Sequence, residues 1–165
     1  MSGVYLLIGG NRGDRNGYLR KAVIEINRKI GNIVRSSSLY ETEPYGFKDN
    51  CLFLNQCLFA ETDLLPLDIL KKSKEIESSM GRIRKSGGYE SRTIDIDILF
   101  YDDIILHETE LIIPHPEFHK RNFALIPMSE INPLFVHPLF GKTILNLLQE
   151  SHDTKKVVKY SETLF

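Results

Sequence analysis

Excess charge of either sign, cysteine and long apolar runs are all scarce in this sequence of 165 residues. With 21 Lys and Arg against 22 Asp and Glu the formal net charge is -1 and the pI about 6.5. The broad basic stripe of a nucleic-acid binder is therefore missing, and no nucleic acid is expected as a partner. No stretch approaches the roughly 20 apolar residues of a membrane span, so no membrane association is expected either. The only cysteines, Cys51 and Cys57, read as the start and middle of one strand. They would then stand about 20 Å apart, too far for a disulfide. Two free thiols fit a reducing compartment, and the expected location is cytoplasmic. The opening Met1-Ser-Gly-Val-Tyr-Leu-Leu-Ile-Gly has no charged lead and reads as a first strand, not a signal peptide. Without repeats or low-complexity linkers, and with 42% hydrophobic residues, the chain reads as one globular domain, 1–165, expected to be a monomer.

What is present is a pair of acids in an apolar run, Arg92-Thr-Ile-Asp95-Ile-Asp97-Ile-Leu-Phe100. On a strand, alternation sends Ile94, Ile96, Ile98 and Phe100 to one face and Asp95 and Asp97 to the other. The two Cα atoms would be about 6.6 Å apart, close enough for the carboxyl oxygens to converge on hard cations about 3.5 to 4 Å apart. The alternative is a strand with one wet face, where the acids serve only solubility. Around the pair the basic residues are clustered: Arg82, Arg84, Lys85 and Arg92 before it, Lys120 and Arg121 after it. Acids for metal beside guanidinium forks describe a site for a polyphosphate.

The remaining pattern is that of alternating strands and helices. Val4 to Ile8 reads as a strand that turns at Gly9-Gly10-Asn11-Arg12-Gly13. That turn is neither a Walker loop nor a dinucleotide fingerprint, and its glycines suit close approach of a ligand to backbone. Asp14 caps a helix with the stripe Leu19, Ala22, Val23, Ile26 and Ile30, ended by Gly31. Strands follow at Ile33 to Thr42 and Leu52 to Glu61, separated by a loop from Glu43 to Asn50. Pro66 opens a second helix, Leu67 to Met80, with Glu77 bordering its buried face. After the acid-bearing strand come a hairpin (Ile104 to Leu106 with Leu111 to Ile113) and short helices at Ala124 to Ile131 and Thr143 to Gln149. The i, i+4 spacing of His115 and His119 does not read as zinc binding, because prolines flank His115. These elements make an α+β fold with a mainly antiparallel sheet.

In order along the chain stand Ile8-Gly9-Gly10-Asn11, Tyr40-x-Thr42-x-Pro44-x-Gly46, Leu54-Asn55, Glu77, Gly81-Arg82-x-Arg84-Lys85, Arg92-x-x-Asp95-x-Asp97, Pro114-His115 and Arg121-x-Phe123. Over essentially its full length the sequence resembles the hydroxymethyldihydropterin pyrophosphokinase family of folate biosynthesis. The resemblance implies a ferredoxin-like core with helices on both sheet faces, a three-layer α/β/α arrangement. It implies transfer of diphosphate from ATP to the hydroxymethyl oxygen of a reduced pterin, releasing AMP, with two Mg²⁺ ions. By the same resemblance Asp95 and Asp97 ligate the metals. Arg82, Arg84, Arg92 and Arg121 hold the phosphates, and Glu77, Ile98 and His115 contact the nucleotide. The pterin lies between Phe53 and Phe123, with Gly9, Thr42, Pro44, Tyr45, Asn55 and Tyr89 completing its pocket. The loop from Arg82 to Ser91 is expected to act as a lid. Its closure should be less favoured than in those members that carry Trp at the position of Tyr89 and can carry Arg at that of Gly88.

Read from residue type alone, Phe53 and Phe123 serve equally as core aromatics, and Asn55 as a turn residue. A Mg²⁺ phosphohydrolase and a nucleotide-sensing module are the competing functions. Neither requires an aromatic pair with Asn55 beside the acids.

Overall fold

The computed structural model describes residues 1–43, 51–81 and 93–161. In chain order these form β1 (Ser2–Gly10), α1 (Arg15–Lys29), β2 (Asn32–Ser36), β3 (Tyr40–Thr42), β4 (Phe53–Thr62), α2 (Pro66–Ser79), β5 (Asp95–Tyr101), β6 (Leu106–His107), β7 (Ile112–Ile113), a 3-10 turn at Phe118–Lys120, α3 (Asn122–Ile131), α4 (Ile144–Glu150) and β8 (Val157–Lys159). The main sheet has the order β5-β1-β4-β3-β8, with β2 also paired to β4, and its ladders are all antiparallel. Taking β2 and β3 as one interrupted strand, this is the βαββαβ weave of a ferredoxin-like fold. None of the described helices is long and apolar enough to cross a membrane.

Two cores sit on opposite faces of the sheet. The first is largely aliphatic: Val4, Leu6, Ile8, Leu54, Leu58, Ile96 and Ile98 meet Leu19 and Ile26 of α1 and Ile69 and Ile76 of α2. The second is richer in aromatic rings: Tyr5, Leu7, Cys57, Leu99 and Phe100 meet Phe118, Ala124 and Met128 with Ile144 of α4. The helix starts behave as local chemistry dictates. Asp14 accepts the Gly17 N–H at 3.1 Å, Pro66 occupies the first turn of α2, and Thr143 accepts the Asn146 N–H at 3.1 Å.

Several expectations are corrected. Phe100 does not share a face with Ile96 and Ile98. The register of β5 against β1 shifts so that Leu6 faces Ile98 while Tyr5 faces Phe100, leaving Leu99 as an extra residue. This bulge turns both Leu99 and Phe100 into the second core. The strand expected from Ile33 to Thr42 is two strands, interrupted at Ser37, whose side chain accepts the Cys57 N–H at 2.9 Å. Cys51 precedes β4 instead of starting it, and both cysteines are free. The strand β8 has no counterpart in the sequence reading. It joins the sheet edge by pairing Val157 with Thr42 and Lys159 with Tyr40.

Phe100 is fully buried and its ring touches those of Tyr5, Phe118, Phe135 and His137. Phe100→Ala should lower stability by about 3 to 5 kcal/mol, because so many rigid rings cannot collapse into the void. Denaturant unfolding checks this, and a loss under about 1 kcal/mol would show that the second core repacks.

Candidate active site

Residues opposite one another in a ladder share a sheet face, so the register assembles the site. Asp95 faces Gly9, Gly9 faces Asn55, Asn55 faces Tyr40, and Tyr40 faces Lys159. Beside this row Asp97 faces Leu7, and Phe53 faces Thr42. All lie on the face of the second core, at the end where its apolar packing gives way to polar groups. Asp95 and Asp97 are half-buried there, while Ile94, Ile96 and Ile98 are buried on the opposite face. The side chain of Ile98 thus belongs to the first core and points away from the acids.

Gly9 has a specific packing reason. A Cβ there would collide with Asn55 Oδ1 and lie 3.0 Å from the Leu54 carbonyl. The space a Cβ would need is taken by the Asn55 carboxamide, and Asn55 is held within β4 and buried instead of capping a turn. Thr42 is also buried, and its Oγ1 has no hydrogen-bond partner among the described residues. Such a hydroxyl, facing Phe53, is a polar group that a ligand could satisfy. Asn11 ties the end of β1 to the chain before β4 by donating to the Cys51 carbonyl at 3.1 Å.

The cationic wall comes from the segment before α3. The His115 backbone N–H donates to the Leu99 carbonyl at 3.0 Å, anchoring this segment beside β5. His115 Nδ1 accepts from the Glu117 N–H at 3.2 Å, which leaves Nε2 to carry the ring hydrogen. Burial, then the Arg121 charge, pushes its imidazole down to about 4, against the opposing pull of Asp95 and Glu117. Arg121 is buried and caps α3 with its carbonyl, which accepts from Ala124 and Leu125. Its guanidinium lies 5.7 Å from the centre of the Phe123 ring, and Phe123 packs half-buried at the rim of the second core. His119 lies in the 3-10 turn with its ring 4.7 Å from Phe140, so no helix presents His115 and His119 together.

Glu77 is buried in α2, in the helix layer that covers the other face of the sheet. Pro44, Tyr45, Arg82, Arg84, Gly88, Tyr89 and Arg92, and with them the expected lid, lie outside the described residues.

Sequence reasoning missed one polar network behind the site. Glu130 at the end of α3 accepts from Tyr40 Oη, from the Ser38 N–H at 3.0 Å and from Ser38 Oγ at 2.7 Å. Burial, then this bond, pushes the Tyr40 phenol up to about 12. No local signal announces it, since Glu130 lies 90 residues from Tyr40.

Asp95 and Asp97 are hard oxygen donors on a rigid strand, and among the described residues no cluster of three or more potential ligands forms. That donor set fits Mg²⁺, which keeps several waters and completes its shell with substrate phosphates. A sequence model of the family described as 7,8-dihydro-6-hydroxymethylpterin-pyrophosphokinase (HPPK) matches residues 5–133. The chain belongs to this family. It is 38% identical over 151 residues to the 2-amino-4-hydroxy-6-hydroxymethyldihydropteridine pyrophosphokinase of Aquifex aeolicus, covering 92% of this chain and 93% of that one. To the enzyme of the same name from Porphyromonas gingivalis it is 39% identical over 141 residues, with coverages of 84% and 95%. Among solved structures, wild-type HPPK-DHPS of Plasmodium falciparum matches with a TM-score of 0.72 at 20% identity, covering 90% of this chain and 44% of that one. This last likeness concerns the fold, and the chain spans under half the length of that HPPK-DHPS chain.

Two outcomes follow. Gly9→Ala should displace the Asn55 carboxamide and weaken pterin binding about tenfold, or about 1.4 kcal/mol, while ATP binding stays within about twofold. Separate titrations of the two ligands check this, and unchanged pterin affinity would refute it. The second concerns pH. Burial pushes His137 as well as His115 down to about 4, His137 with a further push from His119. Unfolded imidazoles take up protons near 6.5, so the unfolded state binds more protons between the two values. The stability that these two imidazoles contribute is therefore complete above about pH 6.5 and is lost as pH falls toward 4. Denaturation midpoints should be lower at pH 5 than at pH 7, and equal midpoints would rule out two neutral buried imidazoles.

Proposed function

We propose that the chain transfers diphosphate from ATP to the hydroxymethyl oxygen of 6-hydroxymethyl-7,8-dihydropterin on the face just described. The observation that carries the assignment of residues is the register. It sets two acids, a buried asparagine, an unsatisfied threonine hydroxyl and an aromatic ring on one face, with Arg121 and Phe123 at its rim.

The pterin would stack between Phe53 and Phe123, with Asn55 and Thr42 reading its polar edge. A ligand lacking that edge would leave both buried polar groups unpaired, which discriminates strongly. Arg121, with Arg82, Arg84 and Arg92, would hold the triphosphate. His115, neutral near pH 7, would donate from Nε2 to the nucleotide without adding charge. Asp95 and Asp97 would hold two Mg²⁺ ions, which when bound neutralise the phosphate oxygens and so ease approach of the attacking oxygen. The hydroxymethyl oxygen forms its bond to the β-phosphorus as the bond to the oxygen bridging the α-phosphorus breaks. AMP leaves, and the hydroxyl proton is released. Ile98, with its side chain in the first core, would meet the nucleotide through its backbone, and Glu77 would act from the opposite helix layer. Two free thiols support a cytoplasmic location, and we read residues 1–165 as one domain working as a monomer on small molecules.

Incubation with ATP, Mg²⁺ and the reduced hydroxymethylpterin should yield AMP and pterin diphosphate in equal amounts. Phosphate release without a pterin product would instead identify a phosphohydrolase. Asp97→Ala and Asp95→Ala should each lower turnover more than tenfold, a loss above about 1.4 kcal/mol of barrier lowering. Their unfolding midpoints should stay close to wild type, because these half-buried side chains carry little core. A variant keeping more than about a tenth of the rate would show that its acid holds no metal.

A further inference from the structure

We propose that Asp153 is a positioning residue for the pterin ring, acting from a segment beyond residues 5–133, the span that the family model matches. The proposal rests on the reading above in which Phe123 stacks on the pterin.

The first N–H groups of a helix have no partner within it, and a side-chain oxygen usually accepts one of them. The residue at the start of α3 is Arg121, which supplies no such oxygen. Asp153 does so from 31 residues away: its Oδ2 accepts the Asn122 N–H at 2.8 Å. Its backbone carbonyl also accepts from Asn122 Nδ2 at 3.2 Å. The carboxylate is itself aimed, since Oδ1 accepts the Lys155 N–H at 2.9 Å and the Asp153 N–H donates to Ser151 Oγ at 3.2 Å. A negative charge there also suits the positive end of the helix dipole. Asn122 stands between Arg121 and Phe123, so its backbone sets the direction in which both side chains leave the turn.

The same segment continues to the opposite wall of the pocket. Lys155 Nζ donates to Glu43 Oε2 at 3.4 Å, and Val157 pairs with Thr42 in the sheet. One short stretch of chain therefore ties the turn carrying Phe123 to the strand carrying Thr42. At the Phe123 end of α3 this stretch sets the separation of the two walls, as the Glu130 bonds to Tyr40 and Ser38 do at the other end.

A cap that merely stabilises α3 would act on folding alone. A positioning residue acts on pterin affinity, and only while the Phe123 ring is present. The test is a double-mutant cycle read by direct titration of the pterin and of ATP. Asp153→Ala should weaken pterin binding by about fivefold, in line with the loss of a helix cap. Asp153→Asn, which keeps a carbonyl acceptor, should restore affinity to within about twofold. In a Phe123→Ala background Asp153→Ala should change pterin affinity by less than about twofold. Should Asp153→Ala not fold, Asn122→Pro removes the donor instead. Proline is favoured at a first helical position, and the extended backbone of Arg121 suits a following proline. It should reproduce the loss.

Unchanged pterin affinity in Asp153→Ala or Asn122→Pro, or the same loss with and without the Phe123 ring, overturns the proposal. Phe123→Ala with wild-type pterin affinity would instead overturn the stacking assignment, and this proposal with it. The two failures are thus told apart by the single Phe123 variant.

Discussion

β1 is hydrogen-bonded along both edges, to β4 and to β5, and it is covered on both faces, so every residue from Val4 to Gly10 is buried. The rest of the molecule hangs on that strand. Its two faces meet different partners, mostly aliphatic side chains on one side and a set richer in aromatic rings on the other, and a slip by one residue would exchange them. The same register that keeps the cores apart sets Gly9 between Asp95 and Asn55. Core packing and site assembly are therefore one constraint.

The site forms where the second core ends. There the sheet carries carboxylates on β5 and amide and hydroxyl groups on β4 and β3, and the rim carries the Arg121 guanidinium. Burial beside a permanent positive charge leaves the His115 imidazole neutral, so the cationic character of this wall comes from arginine and does not titrate near neutrality. A polyphosphate would meet fixed positive charge on one side and carboxylates able to hold metal on the other. That is the arrangement in which positioning and electrostatics, not covalent chemistry by the protein, perform a phosphoryl-type transfer.

α3 is held at both ends by polar groups distant in sequence. Asp153 binds its first turn, and Tyr40 with Ser38 binds Glu130 near its last. Between them Ala124, Leu125 and Met128 face the second core. Apolar packing fixes how deep the helix lies, but such contacts are nondirectional. The hydrogen bonds at its ends fix how far it can slide or rotate, and so where Phe123 stands.

Much of this was legible in the sequence. The Asp95-x-Asp97 alternation placed both acids on one face, Asp14 and Pro66 marked helix starts, and the apolar stripe of α1 named residues that pack into the first core. The bulge that turns Phe100 over, the break at Ser37, the strand β8, the fit of Asn55 over Gly9 and the cap that Asp153 supplies were not legible. Side-chain direction along one strand or helix follows from the backbone period, so a local pattern determines it. Which groups meet across strands was decided by register and by closure of the chain. Those contacts join residues far apart in sequence, and their energy appears only once the intervening chain has folded, which leaves no local pattern to read.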